Sequence, residues 1–132
     1  MNFKRFFITF MFFSAFSLFS QPKKEVVAVP VFFTNMEKND LAIISTDNFI
    51  ESLTKSNRYV VVERSSINKV FNEQNMGASE EFNQSKAVKL GELIGANTVI
   101  IGSLNYLDDT YIITVKGVDV EKGTIKFSEN IK

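Results

Sequence analysis

Three apolar runs set apart by amphipathic stretches constrain the fold of this chain more than any other feature. Val26 to Phe33 is almost wholly apolar and β-branched, Arg58 to Glu63 carries Val60, Val61 and Val62 in succession, and Thr98 to Leu104 is again mostly apolar. Runs of this kind fit strands buried on both faces, as in a sheet covered by helices. Pro30 interrupts the first run, and a proline has no ladder donor, so the pattern predicts an edge strand or a local irregularity there.

The stretches between the runs read as helices. Asn39 or Asp40 can cap a helix that continues to about Lys55, with Ala42, Phe49, Ile50 and Leu53 on its apolar face. Ser56-Asn57 breaks it. Ser65 or Ser66 is placed to cap a second helix, where Ile67, Val70 and Phe71 fall at i, i+3 and i+4, and Asn75 and Gly77 are stop signals. After a polar loop, Gly77 to Asn83, Ser85 is the expected cap of a third helix. Its apolar face is Ala87, Leu90, Gly91 and Ile94, and Gly95 stands where a left-handed terminator belongs.

The C-terminal third changes character. Asp108-Asp109 is a turn signal, Tyr111 to Val120 a fourth strand, and Lys122-Gly123 closes a second hairpin into Thr124 to Asn130. The apolar phase of the fourth strand flips at Gly117, which predicts a bulge at that point. The reading is an α/β domain of order β-α-β-α-α-β-β-β, a mixed sheet in two or three layers that ends in an antiparallel meander.

Composition decides what holds such a domain together. The 132 residues include no Cys and no His. Disulfides, imidazole or thiolate zinc sites, and Ser-His or Cys-His nucleophile pairs are therefore excluded, and the apolar core must suffice alone.

The first twenty residues stand apart. Lys4 and Arg5 precede an uncharged, Phe-rich segment from Phe6 to Phe19. Fourteen residues of helix rise about 21 Å, short of the roughly 30 Å of a bilayer core. The segment fits a secretory signal peptide, with Ser20 as a small residue at the cut, better than an uncleaved anchor. The expected organisation is a signal peptide over 1–20, a linker over 21–25 and one domain over 26–132. Eight of the fourteen Phe residues lie in the leader, and the remaining chain keeps thirteen basic against fifteen acidic residues. That balance argues against a nucleic-acid partner. Without a Cys there is no lipid acceptor after the leader, so the product is expected to be periplasmic and free of a lipid anchor.

Few motifs carry chemistry. Gly91-x-x-x-Gly95 has the spacing of a membrane dimer motif but lies in an amphipathic helix, where close packing and a C-cap explain it better. No nucleotide-binding glycine pattern is present. The acidic pairs Glu80-Glu81 and Asp108-Asp109 fall in expected loops, where solvation is the ordinary outcome. Glu63-Arg64 closes a buried strand ahead of a helix cap. It reads as a structural pair that ties strand to helix, with Arg64 bonded to a carboxylate or carbonyl. No catalytic, cofactor-binding or metal-ligating residue is expected.

Two segments resemble the CsgG-like family of curli-type secretion components. Tyr59 to Asn75 reads Tyr-Val-Val-Val-Glu-Arg-Ser-Ser-Ile-Asn-Lys-Val-Phe-Asn-Glu-Gln-Asn, and the stretch from Ala87 to Ser103 contains Lys-Leu-Gly-Glu-Leu-Ile-Gly-Ala-Asn-Thr-Val-Ile-Ile-Gly-Ser. The hairpin from Val118 to Lys126 adds Val-Asp-Val-Glu-Lys-Gly-Thr-Ile, and the likeness runs from about Val26 to Ile131. It implies a fold similar to the N-terminal domain of TolB, LpoB-like relatives, and an envelope role by protein contact with no cofactor. Envelope proteins are the implied partners, and a homo-oligomer follows by analogy. The pore-forming members are lipoproteins with long inserted hairpins, whereas Thr98 to Ile125 here passes through short turns. A soluble accessory to envelope assembly, secretion or cell-wall synthesis is therefore the leading expectation, ahead of a pore subunit and of a small hydrolytic or sugar-binding domain.

Overall fold

The structure, a computed structural model, describes residues 22–76 and 82–132. The expected leader, Gly77 and the Glu80-Glu81 pair lie outside the described residues. The elements are β1 (Glu25–Ala28), β2 (Phe33–Thr34), α1 (Asp40–Lys55), β3 (Tyr59–Val61), α2 (Arg64–Glu73), α3 (Gln84–Ile94), β4 (Thr98–Leu107), β5 (Thr110–Asp119) and β6 (Ile125–Ile131). They form one mixed sheet of order β3-β1-β4-β5-β6, with β2 also paired to β4. β1 runs parallel to β3 and β4, and β4, β5 and β6 form the antiparallel meander.

Pro30 splits the expected first strand in two rather than marking an edge, since β1 lies between β3 and β4. Val27 lies beside Thr98 and Phe33 beside Ser103, so six steps of one chain run beside five of the other. One residue is extruded between them. The backbone freed by this irregularity is not left unpaired: the Phe32 N–H donates to Thr46 Oγ1 at 3.0 Å, and the same hydroxyl donates to the Ala42 carbonyl at 2.6 Å. Thr46, on α1, is fully buried. A buried donor without such a partner would cost roughly 1–3 kcal/mol.

Helices cover both faces of the sheet, so the domain has three layers. Val27, Val29, Phe32, Ile100, Leu104 and Val115 pack with Ala42, Phe49, Ile50 and Leu53 of α1. Ala28, Val99, Val118 and Val120 face the other way, against Ile67 of α2 and Ala87 and Leu90 of α3. This explains the phase flip in β5. Its pairing with β4 is continuous from Thr98↔Asp119 to Leu107↔Thr110. Val115 is buried toward α1, and Val118 and Val120 toward α2 and α3, so the covered face changes while the alternation does not. The irregularity beside Gly117 belongs to the β5–β6 pairing, where Gly117 opposes Phe127 and Val118 opposes Ile125. Lys126 is the extra residue.

β3 departs from expectation. Its valine run is not buried: the strand is an edge of the sheet, and Val60 is 49% exposed. α3 sits unusually close to the sheet at Gly91, where an added Cβ would lie 2.3 Å from Val120 Cγ2 and 3.1 Å from Val99 Cγ2. Gly95 ends α3 at φ 71°, ψ 30°. Asn97 then joins three strands: its Oδ1 accepts from Val26 N at 2.8 Å, its N–H donates to Val26 O at 2.8 Å, and its carbonyl accepts from Val120 N at 3.0 Å.

Candidate interaction surface

The residues singled out in the sequence scatter over the fold rather than converge. Arg64 opens α2 and its guanidinium Nη2 bonds to Asp47 on α1, while Glu63 accepts from the Ser65 hydroxyl at 3.5 Å. The carboxylate that holds Arg64 is therefore Asp47 and not the neighbouring Glu63, and the pair ties helix to helix across the β3 edge. Two expected caps move by two positions. Glu63 is the N-cap residue of α2, because Val62 N–H donates to Val27 O at 2.9 Å and holds the chain in the sheet up to that point. Ser65 thus lies inside the first turn. Asn83 caps α3 through Oδ1, which accepts from Lys86 N at 2.9 Å, and Ser85 follows inside the helix. Phe82, just before that cap, packs against Phe71 with ring centroids 5.4 Å apart and the rings tilted by 35°.

A cleft of about 480 Å³ opens beyond the carboxyl end of β1, between the starts of α1 and α2. Open α/β sheets hold ligands in such a crevice, where the strand order reverses. Here its walls include Phe32, Ile67, Phe71 and Phe82, and its one arginine, Arg64, is already engaged by Asp47. Among the described residues no three acidic side chains come close enough to share a metal ion.

The uncovered part of the sheet is the outer strand of the meander. α1 lies over β3 and β4, and α3 over β4 and β5, but every residue of β6 is exposed, and among the described residues no strand pairs its outer edge. An open edge is a template for strand addition. β6 is anchored at its start instead. Lys126 Nζ reaches Glu25 Oε1 at 2.6 Å and Thr98 Oγ1 at 3.2 Å, and Thr98 also donates to Glu25. These bonds from Lys126 and Thr98 hold the Glu25 carboxyl below its ordinary pKa, and Glu25 in turn raises that of Lys126. Further along, Phe127 lies over Gly117, and Ile131 sits beside Ile113. Sequence reasoning missed Lys126 because its role comes from the bulge, which only pairing reveals.

The β4–β5 turn carries Asp108 and Asp109, at φ 50° and 60°. Positive φ at both central residues is the geometry of a two-residue hairpin. Tyr106 and Tyr111 face each other across it with ring centroids 4.8 Å apart, and the Tyr106 hydroxyl donates to Asp109 Oδ1 at 3.0 Å. That bond raises the Tyr106 pKa.

The family model of the curli production assembly/transport component CsgG matches residues 24–127. Among solved structures, the LpoB C-terminal domain from Escherichia coli is similar at TM-score 0.66 and 16% identity, over 80% of this chain and 79% of that chain. Lipoprotein GNA1162 from Neisseria meningitidis is similar at TM-score 0.64 and 14% identity, over 80% and 77%. A PelC dodecamer from Paraburkholderia phytofirmans follows at 0.53 and 14%, over 81% and 69%. At these identities the likeness is one of fold. No curated protein sequence matches significantly. No helix among the described residues is long and apolar enough to cross a membrane.

Proposed function

Since the chain belongs to the CsgG family, we propose that it is an exported, non-enzymatic domain that works in the cell envelope by protein contact. In this reading residues 1–20 direct export and are removed, and residues 26–132 act in the periplasm as an accessory to envelope assembly, secretion or cell-wall synthesis. The observation that carries it is the open β6 edge. The sheet is covered by helices on both sides of its centre yet ends in a seven-residue strand with every side chain exposed. A domain of this size does not need that edge for its core, which lies between the helices and β1, β4 and β5.

A role as accessory is favoured over one as pore subunit by the connections of the meander. β4 and β5 are joined by two residues and β5 and β6 by five, with no inserted hairpin between them. A barrel would need strand pairs of about 9–11 lipid-facing residues each. The strands present here are occupied by the domain's own sheet.

The test is made in the native host with the whole chain. Cell fractionation should place a product shortened by about the leader length in the periplasm, and a photo-crosslinking residue at Ser128 or Asn130 on β6 should give discrete adducts in intact cells. Retention of the unprocessed chain in the cytoplasm would sink the export part of the reading. Absence of any β6 adduct would sink the contact part.

A further inference from the structure

One face of the open β6 edge is apolar and carries a single charge. Cross-strand partners share a face of the sheet. Phe127, Glu129 and Ile131 pair with Gly117, Val115 and Ile113, and Val115 and Ile113 pack toward α1, so all three β6 side chains stand on the α1 side. α1 lies over β3 and β4, which leaves that side of β6 open. Phe127 is 40% exposed and Ile131 60%. Phe127 lies over Gly117, where an added Cβ would be 2.2 Å from its ring, so the ring fills a fixed place on β5. Ser128 and Asn130 alternate onto the other side, where the Thr114 hydroxyl donates to Asn130 Oδ1 at 2.8 Å. The bulge at Lys126 interrupts the ladder, so the regular edge is the run from Phe127 to Ile131. Alternate residues of such a run turn their N–H and C=O outward.

Glu129 selects the occupant. It is exposed between Phe127 and Ile131, and among the described residues it forms no ion pair. The nearby lysines do not answer it. Lys126 is held by Glu25, Lys116 opposes Ser128 on the other side, and Lys132 follows Ile131 and alternates to that side as well. A strand laid on this edge brings one side chain directly opposite Glu129. An apolar one would bury the carboxylate without a partner, an acidic one would repel it, and a lysine or arginine would pair with it. The same rule disfavours a second copy. β6 can pair antiparallel with its own copy, faces matched, about Ser128, Glu129 or Asn130. The residue facing Glu129 is then Phe127, Glu129 or Ile131, never a cation.

We infer that the β6 edge takes up an extended segment of a partner protein with the pattern apolar-x-basic-x-apolar. Its apolar residues lie beside Phe127 and Ile131, and its basic residue lies opposite Glu129. Backbone pairing supplies the attachment, and Glu129 supplies the choice of partner. The inference rests on the interaction-domain reading and names the chemistry of that contact.

The probe is acetyl-Thr-Val-Thr-Lys-Thr-Val-Thr-amide, which presents the pattern in either strand direction. It is titrated at low salt into isotope-labelled protein purified after expression of the whole chain. Amide shifts should concentrate at residues 127–131, with slower exchange of the outward amides there. The peptide with glutamate in place of lysine should bind at least about fivefold more weakly. Glu129→Lys should reverse the order of the two peptides. Glu129 is exposed on an edge strand, so that variant keeps the fold. The lysine peptide with every backbone nitrogen methylated keeps its charge but cannot donate to a ladder, and it should not bind. Shifts located elsewhere, no shifts up to the solubility of the peptide, an unchanged order in Glu129→Lys, or binding of the methylated peptide each overturn the inference. So does a dimer in sedimentation that protects the β6 amides, because a second copy then fills the edge. If the peptide fails while photo-crosslinked adducts from Ser128 or Asn130 persist in cells, the pattern is wrong and the wider reading stands. If the adducts are absent too, both fall.

Discussion

Lys126 Nζ lies 2.6 Å from Glu25 Oε1 across 101 positions of sequence. The bulge that sets Lys126 aside from the β5–β6 ladder turns it toward the start of β1, and so clips the outermost strand to the first. The pair is partly open to water, with side chains 38% and 33% exposed, and its worth is correspondingly small.

Glu25→Gln should therefore lower stability at neutral pH by less than about 1 kcal/mol. The sign of the pH dependence follows from the shifts. Glu25 has a folded pKa below its ordinary 4.5, so its contribution is present above that value and is lost as pH falls through the folded pKa. Lys126 is raised above 10.5, so its contribution holds below that value and is lost as pH rises through its folded pKa. Urea midpoints of the two proteins should differ on the plateau between and converge in acid. A gap that stays constant into acid would count against the clip.

Thr46→Val keeps the shape of the side chain and removes the acceptor of Phe32 N–H. We expect a loss of about 1–3 kcal/mol and faster hydrogen exchange at the Phe32 amide. Thr46→Ser should retain the slow exchange. Protection unchanged in the valine variant would mean that the Pro30 irregularity finds another partner.

Asn97→Ala should cost about 1 kcal/mol or somewhat more, because Val26 N–H then faces a gap in the ladder where Oδ1 had closed it. Asn97→Asp preserves the acceptor and should unfold within about 0.5 kcal/mol of the parent in urea. This gives a physical reason for a short acceptor side chain after Gly95-Ala96. Equal losses in the two variants would remove it.

Gly91→Ala tests the close approach of α3. In an exposed helix interior alanine gains about 1 kcal/mol over glycine. Here the new methyl meets Val120 at 2.3 Å, and overpacking costs about 1–3 kcal/mol. Thermal unfolding should show a net loss, and adding Val120→Ala should recover part of it. A stabilised single variant would mean that α3 can shift away from the sheet freely.

The helices were the most legible part of the sequence. α1 ends at Lys55 where its apolar period stops, and the Asp108-Asp109 turn stands where the two signals coincide, because both features depend on neighbours in the chain. The starts of α2 and α3 were less so. Ser65 and Ser85 are good capping residues by type, yet Glu63 and Asn83 take the positions: Val62 is held by β1 before the first serine is reached, and Asn83 Oδ1 accepts from Lys86 N. Val60 to Val62 read as a core strand, and a run of valines has the same pattern at an edge as at a centre. The open β6 edge, our candidate interaction surface, was legible only as the hairpin end of the chain.

By itself, the sequence determined the fold class, the order of elements and the dependence on an apolar core, because periodicity, turn chemistry and the lack of Cys and His act locally or through composition. Tertiary structure alone decided which strands stand at the edges, which face of β5 is covered at each residue, and which partner each isolated polar group finds. Thr46 meets Phe32, Arg64 meets Asp47, and Lys126 meets Glu25. Those pairings join residues from 14 to 101 positions apart, and nothing in local propensity brings such groups together before the layers have packed.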